Sequence, residues 1–195
     1  MKRLLAIAAA LGCGAAIAQA NAPAEERFKT CLACHGEGGI SALALTPSLG
    51  GQHSFYAITQ LFLFREGRRS SEVMTAMAKG MSDADLRAFS ELIAQLPPAP
   101  PATAPGADAP RLARGAALAQ RLRCASCHGA DYAGGQQVPR LARQREDYLA
   151  KTLTEFRAGT RLGYTSAMAE ALAGAQPDEL ADLAYYLANF GKATP

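Results

Sequence analysis

Two copies of one short cysteine–histidine motif are the residues of this 195-residue chain best suited to carry chemistry. Residues 31–35 read Cys-Leu-Ala-Cys-His, and residues 124–128 read Cys-Ala-Ser-Cys-His. Two thiols near one helical turn apart can add to the two vinyl groups of one haem, and the adjacent imidazole can then approach the iron. The motifs therefore predict two covalently attached haem c groups. Their anchors would be Cys31, Cys34, Cys124 and Cys127, with His35 and His128 as proximal iron ligands.

The four cysteines have two other conceivable uses. One is a four-cysteine zinc site spanning residues 31 to 127, and the other is a pair of redox disulfides. Either would leave both adjacent histidines without a role, although the two motifs hold two of the three histidines in the chain. We therefore favour haem attachment over both.

The N-terminal 20 residues are predicted to be a signal peptide. Lys2 and Arg3 form a basic start, an apolar stretch follows up to Ala18, and residues 18–20 read Ala-Gln-Ala, a small-x-small cleavage pattern. The apolar stretch is too short to span a bilayer, and no later stretch is long enough, so we expect a soluble mature protein in the periplasm. Cys13 could instead mark a lipoprotein cleavage site, but its position is early for one.

Composition narrows the classes of function. A net charge of +3 with 19% charged residues provides no basic surface for nucleic acid, so we expect no nucleic-acid partner. A hydrophobic fraction of 49% excludes wholesale disorder, yet only 7% of residues are aromatic. The chain is therefore short of bulky core side chains, and a buried porphyrin would supply the missing apolar volume.

The chain is an internal repeat with an offset of 92 or 93 residues. Residues 47–56 and 139–148 share the pattern Pro-x-Leu-x-x-Gln-x-x-x-Tyr, and both copies continue with Phe-Arg-x-Gly-x-Arg. Six of the eleven prolines lie between the copies, which predicts a semi-extended linker. The predicted organisation is a signal peptide at 1–20, domains at 21–96 and 111–195, and a linker at 97–110.

The repeat also selects the sixth ligand of each iron. Met168 is the only methionine of the second half and lies twelve residues before Leu180. Twelve residues before the matching Leu86 lies Met74, so these two thioethers are the predicted distal ligands.

Three other side chains are set aside as ligands. Met77 and Met81 correspond to alanines in the second half, so we interpret them as flexible core filler. His53 corresponds to an arginine, so we interpret it as an exposed loop or helix-start residue.

Helices must position these groups, since no segment alternates convincingly enough to predict a strand. Ser82 is a predicted N-cap, and Pro177 is predicted at the first position of the matching helix. The predicted helices span residues 24–33, 55–65, 112–126 and 147–157, with two more beginning near 83 and 177.

Each half resembles a class I cytochrome c domain, and the tandem arrangement resembles the dihaem cytochromes c4. The resemblance implies an all-α fold of two tandem domains, each wrapped around one covalently attached haem. It also implies that His35 and Met74 ligate one iron, and His128 and Met168 the other. Pro47 and Pro139 match the proline whose carbonyl accepts a hydrogen bond from the ligating histidine.

Such ligation predicts an electron carrier with no catalytic residues, because a His/Met pair leaves no open iron position. We expect a periplasmic respiratory carrier with a quinol-oxidising complex or a dehydrogenase as donor and a terminal oxidase or another acceptor. Any association with the membrane would run through these partners. The alternatives are a cytochrome subunit of a periplasmic dehydrogenase complex and a dihaem peroxidase, which would need one iron with a vacant or His-replaceable position.

Overall fold

The computed structural model describes residues 23–100 and 106–191, and within these ranges the chain is helical with no strand. The predicted signal peptide, Cys13 and the middle of the predicted linker lie outside the described residues. In chain order the described helices are α1 (Ala24–His35), α2 (Ser54–Arg65), α3 (Glu72–Ala78), α4 (Asp83–Gln95), α5 (Ala109–Arg121), α6 (Ala125–His128), α7 (Glu146–Arg157), α8 (Ala167–Leu172) and α9 (Pro177–Ala188). None of them is long and apolar enough to cross a membrane.

Two separate hydrophobic cores form, one in each half of the repeat. In the first half α1 and α2 both pack on α4, and in the second half α5 and α7 both pack on α9. The first core contains Phe28, Ala57, Leu61, Leu86, Phe89 and Ile93. The second core is built around Leu149, Leu153, Leu172, Leu180, Leu183 and Leu187. One core per repeat is the arrangement expected of two small domains.

The predicted starts of α4 and α9 are both present, and the hydrogen bonds at these two helix starts resemble each other more than the sequence indicated. Ser82 accepts from the backbone N–H of Asp85, and the Asp85 carboxylate accepts from the backbone N–H of Ser82 in return. At the start of α9 the Glu179 carboxylate likewise accepts from the backbone N–H of Gln176, at 2.8 Å. These contacts satisfy N–H groups that a helix end leaves without partners.

The predicted helix over residues 112–126 is wrong in both its start and its continuity. It begins at Ala109 with Asp108 as its N-cap, so the last two residues of the predicted linker belong to its first turn. It ends at Arg121, because Arg123 adopts a left-handed φ of 54°. The second haem motif therefore lies on the separate turn α6, whereas the first motif lies on the last turns of α1.

Candidate haem sites

His35 ends α1 in an orientation that two local features explain. Gly36 follows it with a φ of 84°, and a side-chain carbon there would lie 1.9 Å from the carbonyl oxygen of Ile40, so the turn requires glycine. The chain then folds back, and Nδ1 of His35 lies 2.8 Å from the carbonyl oxygen of Pro47. A ring nitrogen facing a carbonyl must donate, which leaves Nε2 as the nitrogen with a free lone pair.

His128 repeats this geometry in the second half. Gly129 follows it with a φ of 81°, and Nδ1 of His128 lies 3.0 Å from the carbonyl oxygen of Pro139. Both imidazoles are only 6% exposed, and burial lowers the pKa of His35 and of His128. The neutral form, which is the form that binds a metal, is therefore favoured at both positions.

All four cysteines of the motifs are free thiols in the structure. Cys31 and Cys124 are half-buried against the first and second cores, and burial raises the pKa of both thiols. Cys34 and Cys127 are exposed. Among residues 23–100 and 106–191 these cysteines form no disulfide, and no three His, Cys, Asp or Glu side chains come together.

The two predicted distal methionines lie on short helices that the sequence analysis did not predict. Met74 is on α3 and Met168 is on α8, and each packs half-buried against the core that also contacts the first cysteine of its own half. The α3 helix is held at its start by Ser71, whose hydroxyl oxygen accepts from the backbone N–H of Met74.

The three side chains that were set aside are located differently from one another. Met81 packs against the first core, as predicted, but Met77 is 41% exposed, so its interpretation as core filler is wrong. His53 is the N-cap of α2, which confirms its helix-start position, but it is half-buried rather than exposed. Its Nε2 lies 3.0 Å from the carbonyl oxygen of Ala133, in the other half of the chain.

The donor set of each half fits one haem c. It offers two free thiols three positions apart, a buried neutral imidazole with one coordinating nitrogen free, and a thioether on the same apolar core. Soft sulfur and imidazole donors suit iron in an apolar setting. The sequence predicted the thiols and imidazoles because their spacing is local, and the thioethers because the repeat aligns them. The orientation of each imidazole becomes visible only with the glycine and the proline carbonyl.

Comparison with known proteins agrees with this chemistry. The family model described as Cytochrome c matches residues 112–190. Cytochrome c4 of Thiocapsa roseopersicina is 34% identical over 80% of this chain and 85% of that protein. A protein of Thiomonas intermedia named "Thiosulfate dehydrogenase electron acceptor" is 36% identical over 84% of this chain and 79% of that protein. The crystal structure of reduced recombinant cytochrome c4 from Pseudomonas stutzeri matches with a TM-score of 0.78 at 27% identity, over 86% of this chain and 96% of that one.

These relatives cover 80% to 86% of the chain. The all-α fold, the tandem class I cytochrome c domains and the covalently bound haem c follow from that likeness. The chain is therefore an electron carrier rather than an enzyme, and it exchanges electrons with redox partners. It belongs to the cytochrome c4 family of dihaem electron-transfer proteins.

Proposed function

We propose that His35 and Met74 ligate the iron of the first domain, and that His128 and Met168 ligate the iron of the second. The cysteines Cys31, Cys34, Cys124 and Cys127 would form the thioether links. The observation that carries this assignment is the repeated imidazole geometry, in which a proline carbonyl engages Nδ1 and leaves Nε2 free. The haem, when bound, supplies a one-electron Fe(III)/Fe(II) couple.

The chain's own residues would tune that couple in two ways. A soft thioether donor stabilises reduced iron and raises the potential relative to a second imidazole. The Pro47 and Pro139 carbonyls fix the tautomer and the plane of each imidazole, so that little rearrangement accompanies electron transfer.

We propose that the linker predicted at residues 97–110 joins the two domains but ends at Asp108, because α5 begins at Ala109.

The ligand assignment is tested on the ferric holoprotein. Six-coordinate His/Met haem is expected to show a weak absorption band near the red edge of the visible spectrum and slow binding of cyanide. Rapid cyanide or peroxide binding at either iron would contradict the assignment. Intact mass and haem staining, before and after export, test the two covalent haems and the cleavage after Ala20.

For the electron donor, we propose a periplasmic dehydrogenase of the thiosulfate dehydrogenase class. The support is the 36% identity with a relative named for that acceptor role, over 84% of this chain. The second candidate is a quinol-oxidising complex, the donor expected of a general respiratory carrier.

The two donors are separated by stopped-flow reduction of the ferric holoprotein. Thiosulfate and a thiosulfate dehydrogenase, without a mediator, are expected to reduce both haems faster than a quinol-oxidising complex supplied with quinol. Reduction by the quinol-oxidising complex, with none by thiosulfate dehydrogenase, would contradict the proposed donor and support the role of a general respiratory carrier.

A further inference from the structure

Two glutamines of the repeat each form hydrogen bonds to both the backbone N–H and the backbone carbonyl of one residue in the opposite domain. We call this pair of hydrogen bonds a clasp. Gln144 donates from Nε2 to the carbonyl oxygen of Ser48 at 2.8 Å, and its Oε1 accepts from the N–H of Ser48 at 2.7 Å. Gln52 makes the same pair of bonds to Arg140, at 2.9 Å and 3.1 Å. Both glutamines are buried, with 6% and 7% exposure. Because a backbone N–H only donates and a carbonyl only accepts, the orientation of each amide is determined.

The clasp is formed in both directions, because the glutamine and the residue that it binds occur in both copies of the repeat. Gln52 and Gln144 are 92 residues apart, as are Ser48 and Arg140, so each domain gives a glutamine and receives one at equivalent positions. Such an arrangement is the intramolecular equivalent of a two-fold interface between identical subunits.

The peptide unit whose N–H donates to each glutamine is also the peptide unit whose carbonyl accepts the hydrogen bond of the histidine. The carbonyl of the Pro47–Ser48 peptide accepts from His35, while the N–H of that same peptide donates to Gln144. In the other domain, the Pro139–Arg140 peptide connects His128 to Gln52 in the same way. Two chains of hydrogen bonds therefore run from an imidazole through one peptide unit into the opposite domain.

Such a chain affects the imidazole through polarisation. A peptide whose N–H donates to an acceptor carries more negative charge on its oxygen, so its carbonyl accepts more strongly. A stronger acceptor at Nδ1–H makes the imidazole a more basic ligand, and a more basic ligand favours ferric iron.

We propose that Gln52 and Gln144 are positioning residues that act across the domain interface, each lowering the reduction potential of the haem in the other domain. The inference rests on the ligand assignment proposed above for His35 and His128. The hydrogen bonds on the path to His35 are 2.8 and 2.7 Å, whereas those on the path to His128 are 3.0 and 3.1 Å. Gln144 should therefore have the larger effect.

The test measures both reduction potentials in holoprotein carrying Gln144→Met or Gln52→Met. Methionine keeps the volume of glutamine and removes its hydrogen bonds. NMR redox titration, with haem signals assigned through contacts to Cys31 and Cys124, reports each haem separately. Gln144→Met is expected to raise the ferrous-to-ferric ratio of the first haem about threefold at fixed potential, about 30 mV, with a smaller change at the second. Gln52→Met is expected to raise the ferrous-to-ferric ratio of the second haem.

Gln60→Met is the matched control. Gln60 is buried in the same interface, at 8% exposure, but its oxygen accepts from the side chains of Arg69 and Tyr164 rather than from a peptide behind a histidine. It should leave the difference between the two potentials unchanged. The milder Gln144→Asn and Gln52→Asn substitutions provide the same comparison if a methionine variant fails to fold, since a shorter side chain cannot make both bonds.

A second readout is the solvent-exchange rate of the imidazole Nδ1 proton in the reduced protein. Exchange at His35 should accelerate in Gln144→Met, and exchange at His128 should accelerate in Gln52→Met. Shifts confined to the variant's own domain, or equal to those of Gln60→Met, would overturn the inference. A wild-type protein without the His/Met absorption band would instead disprove the ligand assignment, so the two failures are distinguishable.

Discussion

At the scale of single residues, the histidine geometry depends on the backbone around each ring. Gly36 and Gly129 adopt φ values of 84° and 81°, which let the chain turn sharply after each motif. A proline carbonyl then returns to within 3.0 Å of each Nδ1. The same backbone geometry therefore orients the imidazole in both halves of the chain.

The distal ligands give the first prediction. Met168→Ala removes the half-buried thioether that packs on the second core, so it should open the second iron to cyanide and abolish half of the red-edge band. Cyanide titration of the ferric holoprotein measures the effect. Met77→Ala is the control, because Met77 is exposed, and it should leave both spectra unchanged. An unaltered second site in Met168→Ala would rule out this ligand.

Asp85 gives a prediction about pH. Its hydrogen bond and ion pair with Arg27 join α4 to α1 and hold the pKa of the carboxyl at about 2, below the ordinary value of 3.8. A depressed folded-state pKa stabilises the fold fully above about pH 4, and this stability is lost as the pH falls toward 2. Asp85→Asn should therefore lower the free energy of unfolding by up to about 2 kcal/mol at pH 7 and by almost nothing near pH 2.

Denaturant unfolding of the holoprotein at several pH values measures this dependence. Glu91→Gln serves for comparison, because Glu91 is exposed on the same helix. A loss in Asp85→Asn that stays constant down to pH 2 would mean that the charge of Asp85 contributes nothing.

At the scale of elements, the sequence predicted best what short-range rules determine. The N-cap at Ser82 and the proline start of α9 were visible because helix starts depend on residues within one turn of each other. The break at Arg123 was not visible, because a left-handed arginine has no local signature and the turn depends on where α6 must lie. The short helix α8 was missed for a similar reason, since no side-chain cap marks its start while Met168 packs on the second core.

The crossing of α5 and α9 gives a prediction at this scale. A side-chain carbon on Gly115 would lie 2.2 Å from the carbonyl oxygen of Asp182 and 2.5 Å from Cβ of Tyr186, so the helices meet at this glycine. Gly115→Ala should force them apart and destabilise the second domain by about 1–3 kcal/mol. Differential scanning calorimetry of the holoprotein measures the loss.

Gly174→Ala is the matched control in the same domain, because nothing lies within 4 Å of the added carbon there. Equal melting temperatures for the two variants would show that the crossing has room to relax.

At the scale of the whole molecule, the domain interface repeats contacts in pairs. His53 faces the carbonyl oxygen of Ala133 at 3.0 Å, and Arg145, at the equivalent position, donates to the carbonyl oxygen of Ser41 at 3.1 Å. The sequence revealed the repeat and its shared glutamine, but it could not show that each copy binds the other. A side chain repeated within a domain core and one repeated at an interface leave the same pattern in the sequence.

The last prediction follows from thermodynamic reciprocity across this interface. If the clasp of Gln144 on Ser48 and of Gln52 on Arg140 favours ferric iron, then ferric iron must favour the clasp by the same free energy. A threefold effect at the first haem corresponds to about 0.7 kcal/mol. The amide protons of Ser48 and Arg140 are themselves the clasped groups. Exchange of the Ser48 amide with solvent should therefore be about threefold slower in oxidised than in reduced holoprotein, and exchange of the Arg140 amide should be slower by a smaller factor.

Hydrogen–deuterium exchange of peptides covering these amides, read by mass spectrometry, measures the ratio in both redox states. The Leu86 amide, bonded to Ser82 within α4, provides an internal reference whose exchange does not depend on the clasp. In Gln144→Met the redox dependence should vanish at Ser48 and persist at Arg140, because only one clasp has been removed. Equal exchange in the two redox states, with the two potentials still shifted by the substitutions, would mean that the glutamines act through static polarity. In that case oxidation would not strengthen the contact between the domains.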